Sequence, residues 1–130
     1  MATITDLGFG TLEEFSDSIF LFNATSESIE SLDKLLELTT TLRRKIMKPS
    51  ALIVSKQTKA PLNASILMAI SDTFEEIPEL KYSVFIEPIS SSDESLLIDS
   101  TNERGVKSHI MPNLDMAIDS ARKELSNFIH

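Results

Sequence analysis

An unbroken run of apolar residues, Ala51–Val54, is the feature that most constrains how this chain can fold. The run does not alternate between apolar and polar residues, as a strand with one solvent-facing side would, so it predicts a central strand covered on both faces. A polar loop follows, and an amphipathic helix is predicted to begin near Pro61, because proline is favoured in the first turn of a helix. This order of strand, loop and helix is typical of parallel α/β folds.

Two β-prone runs precede this unit near the start of the chain. Phe9–Phe15 and Ile19–Phe22 are separated by turn-forming residues, which predicts a β-hairpin. A long helix is predicted next, because its apolar residues recur at spacings of three and four, and Pro49 ends it. Those apolar residues are Ile29, Leu32, Leu35, Leu36, Leu42 and Ile46.

The second half of the chain continues the alternation of helices and strands. After the helix that begins near Pro61, the sequence predicts a strand at Tyr82–Ile86 and a helix at Ser92–Arg104. A strand at Val106–Met111 and a final helix capped by Asn113 complete the chain. Each of these helices follows a strand, which is the order of consecutive strand–helix–strand units.

The third predicted helix has clear end signals but few apolar residues. Ser91 and Glu94 have the spacing of a capping box, and Gly105 suits the left-handed residue that ends many helices. We expect this helix to be the most exposed or mobile of the four, because a narrow apolar face buries little surface. Its large apolar residues are Leu96, Leu97 and Ile98.

Together these elements predict an α/β fold with a mixed sheet of four to five strands and about four helices. The N-terminal hairpin supplies antiparallel strands, and right-handed crossovers make the later strands run parallel. The length of 130 residues suits a single domain that spans residues 1–130. Residues 1–8 are expected to form a flexible N-terminal arm.

Acidic residues outnumber basic residues in this chain. The 12 Lys and Arg residues against 20 Asp and Glu residues leave a net charge of -8, which repels a phosphate backbone. The main basic cluster, Arg43–Lys45 with Lys48, lies at the end of a predicted helix, where cations complement the helix dipole. We therefore expect no nucleic-acid partner.

Cysteine and long apolar segments are both missing from the sequence. The lack of cysteine excludes disulfides, thiolate zinc sites and cysteine nucleophiles. No segment has the pattern of a signal peptide, and no run is long and apolar enough to span a membrane. We therefore expect a cytoplasmic protein without a membrane span.

The sequence contains no motif for catalysis or cofactor binding. His109 lies in the last predicted strand and His130 ends the chain, and the sequence reveals no catalytic partner for either. Glycine-rich phosphate loops, metalloprotease His–Glu pairs and nucleophile elbows are all missing. We therefore expect a protein that is not an enzyme and that uses no cofactor or metal ion.

The order and local motifs of these segments resemble the STAS domain, and above all the small stand-alone bacterial STAS and SpoIIAA-like proteins. The resemblance covers about residues 9–128 and implies a mixed sheet flanked by helices. It is carried by the hairpin Phe9–Phe22, the strand Ser50–Val54, the turn into Leu62–Ser65, the strand Val106–Met111 and the helix start Leu114–Ile118.

The resemblance implies a non-catalytic signalling module that binds a protein partner, such as a kinase or an anti-sigma-like regulator. In the anti-sigma-factor-antagonist branch of this family, a Ser or Thr at the start of the second helix is phosphorylated, which points by position to Ser65. Lys56, Thr58 and Asn63 are expected to add polar contacts to the same surface. Alternatively, Ser65 is an ordinary first-turn residue that hydrogen-bonds its own backbone.

A second function stays open at this point, namely the binding of a small ligand or a lipid. Related folds can open an apolar pocket between a helix and the sheet, and aromatic residues at such spacings also form ordinary core. The candidate lining residues are Phe15, Phe20, Phe22, Phe74 and Phe85.

Overall fold

The computed structural model of the protein shows an α/β fold built from a six-stranded mixed sheet and four helices. The predicted fold class is therefore confirmed. The structure describes residues 3–6, 10–16, 18–24, 32–56, 71–86 and 91–127.

Helices and strands alternate along the chain after the third strand. The strands are β1 (Thr3–Asp6), β2 (Gly10–Ser16), β3 (Ile19–Ala24), β4 (Ser50–Lys56), β5 (Leu80–Ile86) and β6 (Lys107–Met111). The helices are α1 (Leu32–Lys45), α2 (described at residues 71–73 and followed by a 3-10 turn, Phe74–Glu76), α3 (Ser91–Glu103) and α4 (Leu114–Leu125). Within the described ranges, none of the helices has the length and apolar character that crossing a membrane requires.

The strands lie in the sheet in the same order as in the sequence, from β1 to β6. β1, β2 and β3 pair antiparallel, whereas β3, β4, β5 and β6 pair parallel. The prediction of a hairpin beside parallel strands is confirmed. The sheet has one strand more than the upper end of the predicted range, and the additional strand is β1.

β1 lies within residues 1–8, the segment that was expected to be a flexible arm. It pairs with β2, so that Ile4 lies opposite Glu13 and Asp6 opposite Thr11. The β-branched residues of this segment suit a pleated strand, and β2 offers it backbone hydrogen-bonding groups that would otherwise face water. Thr3–Asp6 therefore form an edge strand of the sheet, and the flexibility of residues 1–8 stays a prediction.

The helices divide unequally between the two faces of the sheet. α1, the turn after α2 and α3 pack on one side, the three-helix face, and α4 packs alone on the other, the α4 face. Right-handed crossovers that all advance in one direction keep their helices on one side, so the unreversed strand order explains this division. The core of the three-helix face comprises Leu12, Phe20, Phe22, Leu38, Leu42, Ile46, Leu52, Val54, Phe74, Ile77, Leu80, Phe85, Leu97 and Val106. The core of the α4 face comprises Ile19, Leu21, Ala51, Ile53, Tyr82, Val84, Ala117, Ala121 and Leu125.

The apolar run in β4 is buried on both faces of the sheet, as predicted. Leu52 and Val54 belong to the core of the three-helix face, and Ala51 and Ile53 belong to the core of the α4 face. None of the four side chains is more than 1% exposed. The run Ala51–Val54 lacks apolar–polar alternation because β4 is a central strand that is covered on both faces.

Two predicted helix ends are confirmed by their hydrogen bonds. At the start of α4, the Asn113 Oδ1 atom accepts a hydrogen bond of 2.9 Å from the Met116 backbone N–H. At the end of α3, Gly105 has a positive φ of 79°. The Val106 N–H then donates to the Thr101 carbonyl oxygen at 3.0 Å, which is the hydrogen bond of a Schellman motif.

α3 has little apolar attachment to the rest of the fold. It spans Ser91–Glu103, one residue earlier at each end than predicted. Leu97 is fully buried, whereas the neighbouring Leu96 is 55% exposed. A buried hydrogen bond of 2.8 Å joins the hydroxyls of Ser71 in α2 and Ser100 in α3. The buried side chain of Leu97 and the Ser71–Ser100 hydrogen bond thus hold much of this helix in place.

We predict that Leu97→Ala lowers the free energy of unfolding by about 2–5 kcal/mol, because it leaves a cavity under α3. Urea unfolding followed by circular dichroism measures this change. Leu96→Ala is the matched control, since it removes the same atoms from an exposed position of the same helix, and it should stay within about 0.5 kcal/mol of wild type. Equal losses for the two variants would contradict the placement of α3.

Candidate functional site

The site predicted from the sequence lies where β4 ends and the second helix begins. Lys56 is the last residue of β4 and pairs in register with Ala24, the last residue of β3. Thr58, Asn63 and Ser65 lie outside the described residues. The structure therefore positions the strand that leads into the predicted site, and the role of Ser65 stays a prediction.

Two polar side chains meet at this end of the sheet. Asn23 in β3 and Ser55 in β4 lie opposite each other, and the Ser55 hydroxyl donates a hydrogen bond of 3.1 Å to Asn23 Oδ1. Both residues are half-buried. Because β3 and β4 are parallel, their carboxyl ends bring the two following loops to the same edge. Asn23 and Ser55 thus form a small polar patch next to Lys56 in the sheet.

Sequence analysis did not select Asn23 and Ser55 as site residues. A usable signal was present, because each is a polar residue next to the end of a predicted strand. The two strands are 32 positions apart at this pair, so only the parallel pairing of β3 with β4 brings the side chains together.

The strand order limits what kind of site this edge can form. In a doubly wound sheet, a ligand crevice opens where the strand order reverses direction. The order of the six described strands does not reverse. The described strands therefore do not form such a crevice at the ends of β3 and β4.

Four of the five aromatic residues considered for a ligand pocket lie in the core. Phe20, Phe22, Phe74 and Phe85 all belong to the core of the three-helix face, and none is more than 2% exposed. The rings of Phe74 and Phe85 pack against each other with centroids 6.3 Å apart. The side chain of Phe15 lies outside the described part of the structure. The four described rings thus form packed core.

A chain of three polar side chains crosses the α4 face. The Tyr82 hydroxyl oxygen in β5 lies 2.7 Å from His109 Nδ1 in β6 and 2.6 Å from Ser120 Oγ in α4. The ring of His109 also contacts the ring of Tyr82 edge to face, with centroids 5.6 Å apart. Burial raises the pKa of Tyr82, and the hydrogen bond from Ser120 opposes part of this rise.

This chain can be satisfied without any ionised group. When the Tyr82 hydroxyl donates to His109 Nδ1, the same oxygen accepts the proton of the Ser120 hydroxyl. A tyrosine with a raised pKa stays protonated at neutral pH, so it does not supply a phenolate base. The sequence revealed no partner for His109, and the fold provides one, the Tyr82 hydroxyl. Through its second hydrogen bond to Ser120, this hydroxyl ties β5, β6 and α4 together.

Charged side chains pair near the opposite end of the parallel strands. The Lys107 ammonium donates a hydrogen bond of 2.9 Å to Glu124 Oε1, which raises the pKa of Lys107. Arg104 hydrogen-bonds Asp72, and its Nε atom lies 3.6 Å from Glu75 Oε1. Arg104 thus joins the end of α3 to the end of α2. No group of three His, Asp or Glu side chains in the described ranges could hold a metal ion.

No family model, curated protein or solved structure matches this chain. The resemblance to the STAS domain therefore stays a prediction from the sequence.

We predict that the titration of Tyr82 shows a pKa above the ordinary tyrosine value of 10.0, because burial disfavours the phenolate. Tyr82 is the only tyrosine and the chain has no tryptophan, so the ultraviolet absorbance of the phenolate reports this residue alone. Ser120→Ala should raise the pKa further, since the hydrogen bond from Ser120 lowers it.

The same shift predicts how stability depends on pH. Above pH 10 the folded state keeps a proton that the unfolded state loses, so the contribution of Tyr82 to stability is full below pH 10 and is lost as the pH rises through the folded pKa. Urea unfolding across this range measures the loss. Tyr82→Phe should lack this part of the pH dependence, and an unchanged profile in that variant would contradict the prediction.

Proposed function

We propose that this protein is a non-catalytic interaction module of STAS type, whose protein partner docks where β3 and β4 end and the second helix begins. The observation that supports this most directly is the Asn23–Ser55 hydrogen bond, which places two polar side chains near the carboxyl ends of β3 and β4, next to Lys56 in β4. The unreversed order of the described strands adds support, because small ligands in doubly wound folds bind where the strand order reverses.

Charge indicates what kind of partner this module would select. The chain carries a net charge of -8, so it attracts proteins that present a basic face and repels acidic ones. A kinase or an anti-sigma-like regulator with such a face would fit the resemblance to the STAS family. The cytoplasm is the compartment proposed for this exchange, because the chain has no cysteine to form disulfides.

We further propose that phosphorylation of Ser65 controls the association. A phosphate adds up to about two negative charges at neutral pH, and the free amides of a first helical turn stabilise such charge. The phosphate is larger than the hydroxyl that it replaces, so it disrupts contacts that fit a small neutral hydroxyl, even on a partner with a basic face. Phosphorylation would thereby switch the partner without unfolding the module.

We predict that Ser65→Asp weakens partner binding by about tenfold or more, because a carboxylate replaces the small hydroxyl that the partner contacts. The free energy of unfolding should stay nearly unchanged, because acids are tolerated in the first turn of a helix. The measurement is an affinity pull-down from the source cells with wild type and the variant side by side, read by quantitative mass spectrometry. The intact mass of the protein from those cells shows whether Ser65 carries a phosphate.

Two variants serve as controls for this experiment. Ser65→Ala removes the hydroxyl without adding charge and should keep the partner. Thr40→Asp adds the same charge at an exposed position of α1 and should also keep it. Loss of the partner in Thr40→Asp would attribute the effect to net charge, and identical protein lists for all variants would refute a recognition site at Ser65.

A further inference from the structure

The outer edge of β6 is open in the described sheet. β6 spans five residues and is the terminal strand, paired only with β5 among the strands described. In such a strand, alternate residues direct their N–H and C=O groups away from the sheet, where another strand can pair with them. The one lysine of β6, Lys107, hydrogen-bonds Glu124 of α4. Its charge is therefore held on the α4 side.

A groove lies beside this open edge, between β6 and α3. It has a volume of about 450 Å³ and is lined in the described part of the chain by Glu94, Ser95, Ile98, Asp99, His109 and Ile110. His109 and Ile110 are consecutive in β6, so their side chains project to opposite faces of the sheet. Because both line one groove, the groove is open to the edge of β6 from both faces of the sheet and reaches up to α3.

The strand wall of this groove is held in place by contacts with both faces of the sheet. His109 is fixed on the α4 face by its hydrogen bond and ring contact with Tyr82. Ile110 packs against the core of the three-helix face. Beneath α3, the hydroxyls of Ser83 and Ser108 form a buried hydrogen bond of 2.5 Å between β5 and β6. Binding here would therefore cost little reorganisation of the strand.

The α3 wall of the groove carries negative charge. Glu94 and Asp99 line the groove, and its described lining contains no Lys or Arg to neutralise them. These two residues are five positions apart in α3, so they lie on different sides of the helix and both border the groove. In a strand added beside β6, side chains at alternate positions point to the same side of the sheet, and one set would point to the side on which α3 packs. Cations at alternate peptide positions would meet the two carboxylates.

We propose that an extended peptide segment with Lys or Arg at alternate positions binds along β6 as a seventh strand. Its backbone hydrogen-bonds the open edge, and its cationic side chains face Glu94 and Asp99. This mode of recognition adds a strand to a sheet, in which the backbone supplies affinity and the side chains supply selectivity. The site goes beyond the proposed function, because it lies at the β6 edge instead of at the ends of β3 and β4.

The test uses the full chain and a fluorescent peptide that alternates Val and Lys. Fluorescence anisotropy should show saturable binding, and amide signals of residues 107–111 should shift in nuclear magnetic resonance spectra. The double variant Glu94→Gln/Asp99→Asn should weaken binding by about fivefold, the loss expected when two solvent-accessible charge pairs are removed. A peptide in which Glu replaces Lys should not bind.

Two controls separate strand addition from simple attraction between charges. Glu103→Gln/Asp119→Asn removes the same charge from exposed positions outside the groove and should leave the affinity unchanged. A peptide with the same charge but alternate N-methylated residues cannot form the strand hydrogen bonds and should bind at least tenfold more weakly. Denaturation curves confirm that each variant is folded.

Three results would overturn the proposal, namely no binding, equal binding of the N-methylated peptide, or equal weakening by both double variants. Peptide binding by Ser65→Asp separates this site from the proposed function, because that variant should bind the peptide as wild type does whether or not its partner interaction is lost.

Discussion

Burial of β4 and β5 on both faces of one sheet is the constraint on which the rest of the structure depends. The side chains of Leu52, Val54 and Phe85 face α1, α3 and the turn after α2, while Ile53, Tyr82 and Val84 face α4. Both layers of helices therefore rest on the same two strands. Because the removal of apolar surface from water is the dominant favourable contribution to folding, these strands connect the stability of the two layers.

This apolar centre also determines where polar groups can be placed. Asn23 and Ser55 lie near the ends of β3 and β4, where they can hydrogen-bond each other and remain partly exposed. Tyr82 lies in the centre, and its hydroxyl is satisfied by His109 and Ser120 at the border of α4. Buried polar groups without partners are costly, so polar chemistry collects at the strand ends and at the free edge. The two proposed recognition surfaces lie at these two places.

Local patterns in the sequence predicted most of the fold, because they report on burial and helix ends directly. The apolar run Ala51–Val54 predicted a central strand, and Asn113 and Gly105 marked helix ends that the structure confirms. β1 was missed, because a short segment with few apolar residues becomes a strand only when a neighbouring strand offers hydrogen bonds. The predicted site was only partly located, since Lys56 ends β4 while Thr58, Asn63 and Ser65 lie outside the described residues.

The sequence alone determined the alternation of strands and helices, the net charge and the doubly buried character of β4, since each depends on neighbouring residues or on composition. Only the tertiary structure decided which distant residues meet. Tyr82 and Ser120 are 38 positions apart, and the β6 groove joins a helix face to a strand edge. No local pattern encodes these contacts, because they follow from strand order and from the face on which each helix packs. Those features are set by the packing of the whole chain.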